Sequence, residues 1–502
     1  MPSLAERRIG SLAGTLCVLI VAVFYLFTIR EGHDWGDDFS QYIQHAVNLA
    51  HGESYTATRY LYNPDNPSIG PRQYPPGFPI ALAPVVRAFG VDLQLMKVEE
   101  VLFFVAALLL LHRLIQPLMP PAASAAVVLV VGFNPVLWDF KDQVLSDLPF
   151  LFFFFAAILC LTRSGEPERS ARFRLALSVL GGVAIYASYA TRVVGIVLLP
   201  SVVMRDFIKY RWLTKETLIA GGSFATLAGL QYALSTRDTS YTDLLTIGAP
   251  VIAANVVSYL RWFTEFWANG YAELPRKMLF LVTAGLAVVG YATLWRQPKA
   301  MLFAIAPLFY LTVIVVWPLA QDTRFLIPVM PIYVACSVLG ALSIDSSIAR
   351  HWGRSNVVVS ALLAVVSVTY VARYSTLPFG RLQEGIGKPE SVQLFDFVRT
   401  STARDDVIVF SRPRALSLFG ERTVTPPSRP ADPCDLWRYL RHVRAGYVVT
   451  GPGAANAEAQ YLSNFVRDFT PNLREVMRNA DVAVYRVESA PARCVDEPLA
   501  VR

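Results

Sequence analysis

Long apolar runs separated by short polar breaks occupy most of the chain up to about residue 375. Each run is close to the roughly 20 residues that an α-helix needs to cross the hydrocarbon core of a membrane. A shorter apolar segment, 78–90, is a candidate for an additional or re-entrant helix. The pattern predicts an α-helical polytopic membrane protein with about eleven spans, at residues 11–29, 96–115, 121–138, 148–162, 175–190, 193–204, 216–234, 277–295, 300–318, 325–343 and 356–373.

The chain beyond residue 375 has a different pattern. It is polar, rich in turn residues and without an apolar run of membrane length. Short runs of β-type residues alternate there with amphipathic helical patterns, which is typical of a small α/β domain. We therefore predict a membrane domain over residues 1–375 and an α/β domain over 376–502. The β-type runs are 407–410, 447–450 and 482–487, and the helical patterns cover 391–399 and 457–469.

Composition and charge agree with a membrane protein and give it an orientation. Hydrophobic residues make up 54% of the chain and charged residues only 17%, whereas about a quarter of an ordinary soluble domain is charged. The net charge of +7 forms no basic stripe with interleaved aromatic residues, so nucleic-acid binding is not predicted. The positive-inside rule places the N-terminus in the cytoplasm and the loops 30–95 and 235–276 outside, together with the C-terminal domain. The basic loops that carry this assignment are 163–174, 205–215, 296–299 and 350–354.

Two adjacent carboxylates, Asp37 and Asp38, follow the first predicted span. Apolar residues from Phe39 to Ala50 recur with helical spacing, and Gly52 stands where such a helix would end. The pattern predicts a short amphipathic helix along the outer interface. One carboxylate can cap this helix. Because neighbouring residues at a helix start point about 100° apart, the other can face a cavity beside the membrane, so capping and function both stay open.

The same outer loop continues with Arg72 and Tyr74, directly before Pro75 and Pro76. Two prolines fix an extended backbone leading into a helix. A rigid loop explains the prolines, but not the presence of a guanidinium and a phenol beside the interface that carries the acidic pair.

A second outer loop, between the third and fourth predicted spans, contains several acidic residues. Ser146 or Asp147 is suited to cap the following helix, with Pro149 in its first turn. A functional role for Asp147 is an equal alternative. Asp139 and Asp142 are expected to be solvated.

Two arginines, Arg192 and Arg324, stand at the outer ends of predicted spans. Each also lies near the N-terminal end of an inward-running helix, where the helix dipole is already positive and a cation gains nothing. Helix N-termini and guanidinium groups both bind phosphate. The alternatives are snorkelling toward lipid headgroups and, for Arg324, a local pair with Asp322.

Two of the five cysteines, Cys434 and Cys494, lie in the predicted exported domain. A disulfide persists in that compartment, and both the bridged and the free state are open. His33, His45 and His51 share the first outer loop, where a metal site with the acidic pair is a less favoured alternative.

These motifs, in this order, resemble the GT-C superfamily of glycosyltransferases, in the branch of protein O-mannosyltransferases and lipid A aminoarabinose transferases. The resemblance covers about residues 10–345. It rests on Asp37-Asp38 opening an interfacial helix, Tyr74-Pro75-Pro76, Asp147, Thr191-Arg192 and the run from Arg324 to Pro331.

The resemblance implies a GT-C-like fold and the transfer, with inversion, of a hexosyl or pentosyl group from a polyprenyl-phosphate donor to a lipid, glycan or protein acceptor. Relatives use the first-loop acid as catalytic base. Asp37 takes the place of that acid, and Asp38 replaces the usual glutamate. Arg72, Tyr74, Arg192 and Arg324 are expected to bind the donor phosphate.

The lipid A branch has a lysine where Tyr74 stands, which argues against the same substrate. No cofactor is expected, with a divalent metal left open, and the expected location is a bacterial cell membrane. A secondary transporter or lipid-linked sugar flippase is the alternative class, for which mid-membrane polar residues and repeated halves would be typical.

Overall fold

The computed structural model describes residues 4–234, 248–318, 320–352, 356–428, 432–451 and 457–494. The membrane part of this described chain is helical. Its helices are α1 (Leu4–Phe27), α2 (Asp38–His51), α3 (Gly77–Phe89), α4 (Leu93–Ile115), α5 (Pro121–Gly132), α6 (Pro135–Phe140), α7 (Asp147–Ser164), α8 (Ala171–Thr191), α9 (Leu198–Tyr210), α10 (Lys215–Leu234), α11 (Ala249–Phe263), α12 (Glu273–Trp295), α13 (Met301–Val316), α14 (Met330–Trp352) and α15 (Val357–Tyr374).

Every predicted span overlaps one of these helices. Five of them, α7, α8, α12, α14 and α15, are long and apolar enough to cross a membrane. The apolar stretches of α1, α3, α5 and α13 are shorter. The number of about eleven spans therefore stays a prediction.

Two regions differ from the sequence-based expectation. The predicted span 121–138 consists of two helices, because Pro135 starts a new helix and the Asn134 side chain accepts a hydrogen bond from the Val136 N–H at its first turn. The segment expected as a long outer loop, 235–276, contains α11, and its residues 235–247 lie outside the described chain.

The predicted interfacial helix is α2. It ends at Gly52, whose left-handed conformation (φ 71°) is easy for glycine and closes the helix by backbone hydrogen bonds to Asn48 and Leu49. Its apolar face is fully buried rather than exposed to lipid, with Phe39 and Ile43 both inaccessible to solvent.

The C-terminal part forms the predicted α/β domain. Its five-stranded sheet has the order β2-β1-β3-β5-β4, parallel across β2, β1 and β3 and antiparallel across β3, β5 and β4. A disulfide joins Cys434 and Cys494, whose Cα atoms lie 5.0 Å apart. The elements are α16 (Pro389–Ser401), β1 (Val407–Val409), α17 (Pro413–Gly420), β2 (Thr423–Thr425), α18 (Pro433–His442), β3 (Ala445–Thr450), α19 (Ala457–Asp468), β4 (Leu473–Arg478) and β5 (Ala483–Val487).

This domain is joined to the first outer loop by backbone and side-chain hydrogen bonds. The Leu61 N–H donates to the Val424 carbonyl at 2.9 Å, which extends the sheet beyond β2. The Asn63 amide donates to the Pro426 carbonyl at 3.1 Å. The outer loop and the domain also share one apolar core, with Phe39, Ile43, Phe78, Leu416 and Val424 among its fully buried members.

Candidate active site

A cavity of about 230 Å³ lies where the first outer loop, the end of α8 and the segment following α13 meet. Its polar lining includes the side chains of Asp38, Tyr74, Arg192 and Arg324. Two short segments also contribute apolar side chains to the lining. These are Val193, Val194 and Ile196 from one segment and Val313, Ile314 and Trp317 from the other.

The close approach of α3 to the end of α8 depends on Gly77. A Cβ atom at Gly77 would lie 2.7 Å from the backbone of Ala190 and 2.8 Å from that of Thr191, so any larger residue would push the two helices apart. The Pro75-Pro76 step therefore leads into a helix whose first residue touches the backbone that carries Arg192.

Asp38, in the first turn of α2, uses its two carboxylate oxygens differently. Its Oδ2 accepts a hydrogen bond from Arg324 Nη1 at 2.6 Å. Its Oδ1 accepts one from the Tyr74 hydroxyl at 2.5 Å and one from Arg414 Nη1 at 3.1 Å. Three groups that lie far apart in the chain thus fix a single carboxylate.

Asp147 holds both of the predicted phosphate-binding arginines. Its Oδ2 accepts a hydrogen bond from Arg324 Nε at 2.7 Å, and its Oδ1 accepts one from Arg192 Nη1. The Asp147 side chain is almost inaccessible to solvent, and the arginines are 11% and 14% exposed. Arg192 also lies over the Phe325 ring at 5.0 Å. These contacts form one continuous network of carboxylates and guanidinium groups.

The alternative explanation of Arg324, a local side-chain pair with Asp322, is not what the structure shows. Asp322 accepts a hydrogen bond from the backbone N–H of Arg324 at 2.9 Å, which holds the turn. The guanidinium of Arg324 is then directed to Asp38 and Asp147.

Asp37, which the resemblance marks as the catalytic base, lies behind the cavity rather than in its lining. Its Oδ1 accepts hydrogen bonds from the backbone N–H groups of Arg414 and Ala415 at 3.0 and 3.2 Å, at the start of α17. It does not cap α2 with its side chain. Asp37 connects the interfacial helix to the C-terminal domain, and Asp38 is the member of the pair that faces the cavity.

The pKa values of Asp37 and Asp38 shift in opposite directions. Burial acts to raise the pKa of Asp38, but the nearby Arg324 and Arg414 outweigh it and hold the pKa below its usual range. Burial raises the pKa of Asp37 to about 6, even though Arg414 lies close by. Asp38 is therefore a carboxylate at neutral pH.

Of the two loop residues expected at the donor phosphate, only Tyr74 lies in the cavity lining. Its hydroxyl contacts Asp38 and Arg414. Arg72 is half-buried and is not part of the lining; its backbone carbonyl accepts a hydrogen bond from the Gln41 amide at 2.7 Å. A phosphate-binding role for Arg72 stays a prediction.

Other polar residues of the outer loops have structural contacts. Asp142, expected to be solvated, is fully buried and pairs with Arg30 at 2.6 Å and Lys141 at 2.7 Å. Asp139 is about half exposed and pairs with Arg30.

Two histidines of the first outer loop, His33 and His45, also have structural partners. The His33 ring accepts a hydrogen bond from the Val144 N–H at 3.0 Å, and the His45 ring lies 2.8 Å from the Tyr55 carbonyl. Within the described ranges, no group of three or more histidine, cysteine, aspartate or glutamate side chains is arranged to hold a metal.

Arg414 belongs to this hydrogen-bond network, and the sequence did not single it out. It lies 376 positions beyond Asp38, in a domain that sequence patterning treats as separate. It does carry the signal that singled out Arg192 and Arg324, because it is a cation in the first turn of a helix, where the dipole disfavours it.

The fold is similar to that of solved membrane glycosyltransferases of the GT-C superfamily. ArnT from Cupriavidus metallidurans bound to undecaprenyl phosphate superimposes with a TM-score of 0.62 and 12% identity, over 94% of this chain and 97% of that chain. AglB from Archaeoglobus fulgidus, in complex with an inhibitory peptide and a dolichol-phosphate, gives 0.58 and 11%, over 97% and 75%. The mycobacterial arabinofuranosyltransferase AftD gives 0.55 and 14%, over 97% and 42%.

The similarity is visible in the structure and not in comparisons of sequence. No protein-family model matches the chain, and no curated protein sequence matches it.

Proposed function

We propose that this protein transfers a sugar from a polyprenyl-phosphate donor to an acceptor hydroxyl or amine on the extracytoplasmic face of a membrane. The observation that carries the proposal is the joint placement of Asp38, Arg192 and Arg324 at one cavity. A carboxylate and two guanidinium groups there match what glycosyl transfer from a phosphate needs, and the fold agrees with that chemistry.

The lining of the cavity suits a lipid-linked phosphate. Arg192 and Arg324 supply donors for the phosphate oxygens. The apolar side chains of residues 193–196 and 313–317 supply a surface for the first isoprene units. ArnT and AglB were each solved with a polyprenyl or dolichyl phosphate, which supports the same class of donor.

In the proposed reaction, the acceptor oxygen or nitrogen attacks the anomeric carbon of the sugar, and the bond from that carbon to the phosphate oxygen breaks. Asp38 accepts the acceptor proton, a contribution of about 10²–10⁴-fold to the rate. Arg192 and Arg324 stabilise the negative charge that gathers on the departing phosphate. A single displacement of this kind inverts the anomeric configuration.

The arginine–carboxylate contacts imply that Arg324 exchanges a carboxylate partner for the phosphate when the donor binds. Arg324 is shared between Asp38 and Asp147, and a phosphate competes for the same guanidinium. As Arg324 turns toward the phosphate, Asp38 loses a cation, its pKa rises, and it becomes a stronger base. Donor binding would thus prepare the base for the acceptor.

Purified protein incubated with a panel of polyprenyl-phosphate sugars and envelope extracts tests the proposal. Release of polyprenyl phosphate together with sugar on a new acceptor is the expected result. Asp38→Asn should lower this transfer by at least about 10²-fold. Asp396→Asn, the same chemical change at an exposed ion pair on α16, is the matched control.

Wild-type transfer by Asp38→Asn would remove Asp38 as base. Movement of the lipid-linked sugar across the bilayer without breakage of the sugar–phosphate bond would favour the flippase alternative instead.

A further inference from the structure

Arg414 of the C-terminal domain contacts Asp38 and Tyr74, two residues of the cavity lining, and its side chain is only 1% exposed. Its Nη1 donates to Asp38 and to the Tyr74 hydroxyl. Its Nη2 donates to the Ile69 carbonyl, and the guanidinium lies 4.8 Å from the Tyr74 ring. One side chain of the exported domain therefore touches both the reacting carboxylate and the loop that borders the cavity.

The position of Arg414 is itself fixed by Asp37. The Asp37 carboxylate accepts hydrogen bonds from the first backbone N–H groups of α17, at Arg414 and Ala415. Its Oδ2 also lies 3.6 Å from Arg414 Nε. This explains why two adjacent acids open α2: Asp37 orients the helix that carries Arg414, and Arg414 orients Asp38.

We propose that Arg414 is a positioning residue, which holds Oδ1 of Asp38 so that Oδ2 is the oxygen that accepts the acceptor proton. This inference rests on the proposed glycosyl transfer. Arg324 binds Oδ2 alone, whereas Arg414 and Tyr74 bind Oδ1 alone. When the donor phosphate draws Arg324 away, Oδ2 becomes free while Oδ1 keeps both of its partners.

The burial of Arg414 supports a role beyond docking of the domain. A buried guanidinium is costly unless its donors are satisfied and its charge is matched. The domain already has a second buried arginine, Arg422, which makes its contacts within the domain, to Thr402 and to the Arg399 carbonyl. Arg414 differs because its charge is matched by two acids of the membrane domain, Asp37 and Asp38, of which Asp38 lines the cavity.

The test compares Arg414→Gln, Arg414→Lys and Arg422→Gln in the full-length protein. With the donor that wild type uses, Arg414→Gln should lower kcat by roughly 10- to 100-fold, since Asp38 is no longer held in a reactive position. The KM for the donor should change little. Arg422→Gln loses a buried arginine of the same domain but should keep the wild-type kcat in the folded fraction.

The pH profile separates positioning from simple loss of structure. Asp38 faces Arg324, Arg414, Tyr74 and the neighbouring Asp37, and it must be deprotonated to act. Once the donor phosphate has drawn Arg324 away, Arg414 is the cation that stays beside Asp38. Arg414→Gln removes it, so the acid limb of kcat, which reports the donor-bound enzyme, should move up by about 1 pH unit or more. Arg414→Lys retains the charge without the planar fork, so its acid limb should stay near wild type while kcat falls.

Three outcomes would overturn the inference. The first is folded Arg414→Gln with wild-type kcat and an unmoved acid limb. The second is a loss of activity that only follows the loss of folded protein at every pH. The third applies if Arg414→Gln does not fold: a wild-type kcat in Arg414→Lys would then overturn the inference. Absence of transfer by wild type from every donor would instead refute the proposed function, and this inference with it.

Discussion

Arg324 Nη1 lies 2.6 Å from Oδ2 of Asp38, although the two residues are 286 positions apart in the chain. The same guanidinium contacts Asp147 through Nε at 2.7 Å. Two carboxylates neutralise the charge of Arg324, and a phosphate that enters the cavity can replace either of them as its partner. This shared arginine is the physical basis for placing the donor phosphate here.

The first prediction concerns donor affinity. Arg324→Gln should weaken binding of polyprenyl phosphate by about tenfold or more, because a charge-assisted hydrogen bond to the phosphate is lost. The effect should shrink at high salt. The measurement is a titration of the purified protein with polyprenyl phosphate at two ionic strengths.

Arg276→Gln is the control for Arg324→Gln. Arg276 is similarly exposed and pairs with Glu265 at 2.7 Å, outside the cavity lining. An equal loss of affinity in both variants would contradict a phosphate contact at Arg324.

The second prediction concerns pH and stability. The pKa of Asp37 is raised from 3.8 to about 6 in the folded protein, so the folded state keeps this proton longer than the unfolded state. The stability that Asp37 contributes is present below about pH 4 and is lost as the pH rises through about 6. Asp37→Asn cannot ionise, so its Tm relative to wild type should rise between pH 4 and pH 7.

Thermal unfolding of both proteins across this range measures the difference. Asp396→Asn should follow wild type at each pH. A constant offset between Asp37→Asn and wild type would show that Asp37 does not titrate in this window.

The third prediction concerns the lipid chain of the donor. Ile196 lines the cavity and is 44% exposed, so Ile196→Ala removes apolar surface without opening a hole in the core. We expect a loss of about 1 kcal/mol, or roughly a fivefold weaker Kd, for long polyprenyl phosphates. Inorganic phosphate, which carries no isoprene unit, should bind as before.

Ile80→Ala is the matched control, since Ile80 is an exposed apolar residue of α3 outside the lining. Equal weakening for polyprenyl phosphate and inorganic phosphate would place the lipid chain elsewhere.

The fourth prediction concerns the disulfide. Cys434 and Cys494 close a loop of 60 residues, and in the chain-entropy model such a loop stabilises by ~4 kcal/mol. Cys434→Ser should lower the unfolding temperature of the C-terminal domain, and reductant should lower that of wild type to a similar value. Cys17→Ser, at a free cysteine of α1, should have no such effect.

The fifth prediction concerns orientation. In the proposed topology Asp468 is outside and Lys299 inside, and both are exposed. A membrane-impermeant maleimide added to intact cells should label Asp468→Cys and not Lys299→Cys until the cells are opened. The reverse pattern would place the cavity on the cytoplasmic face and contradict the proposed compartment.

The sequence alone determined the helical membrane part, the start of α2 and the α/β character of the C-terminal domain. Each follows from local periodicity, which is fixed by the backbone geometry of helices and strands. It also singled out Asp147, Arg192 and Arg324, because a charged residue at a helix end beside the membrane stands out without knowledge of its partners.

Only the tertiary structure decided which acid faces the cavity and which arginine supports it. Asp37 and Asp38 are equivalent by spacing, and their surroundings differ because Asp37 binds the first turn of α17 whereas Asp38 binds Arg324. Arg414 reaches Asp38 through contacts between distant segments, and such contacts leave no periodic trace in a single sequence.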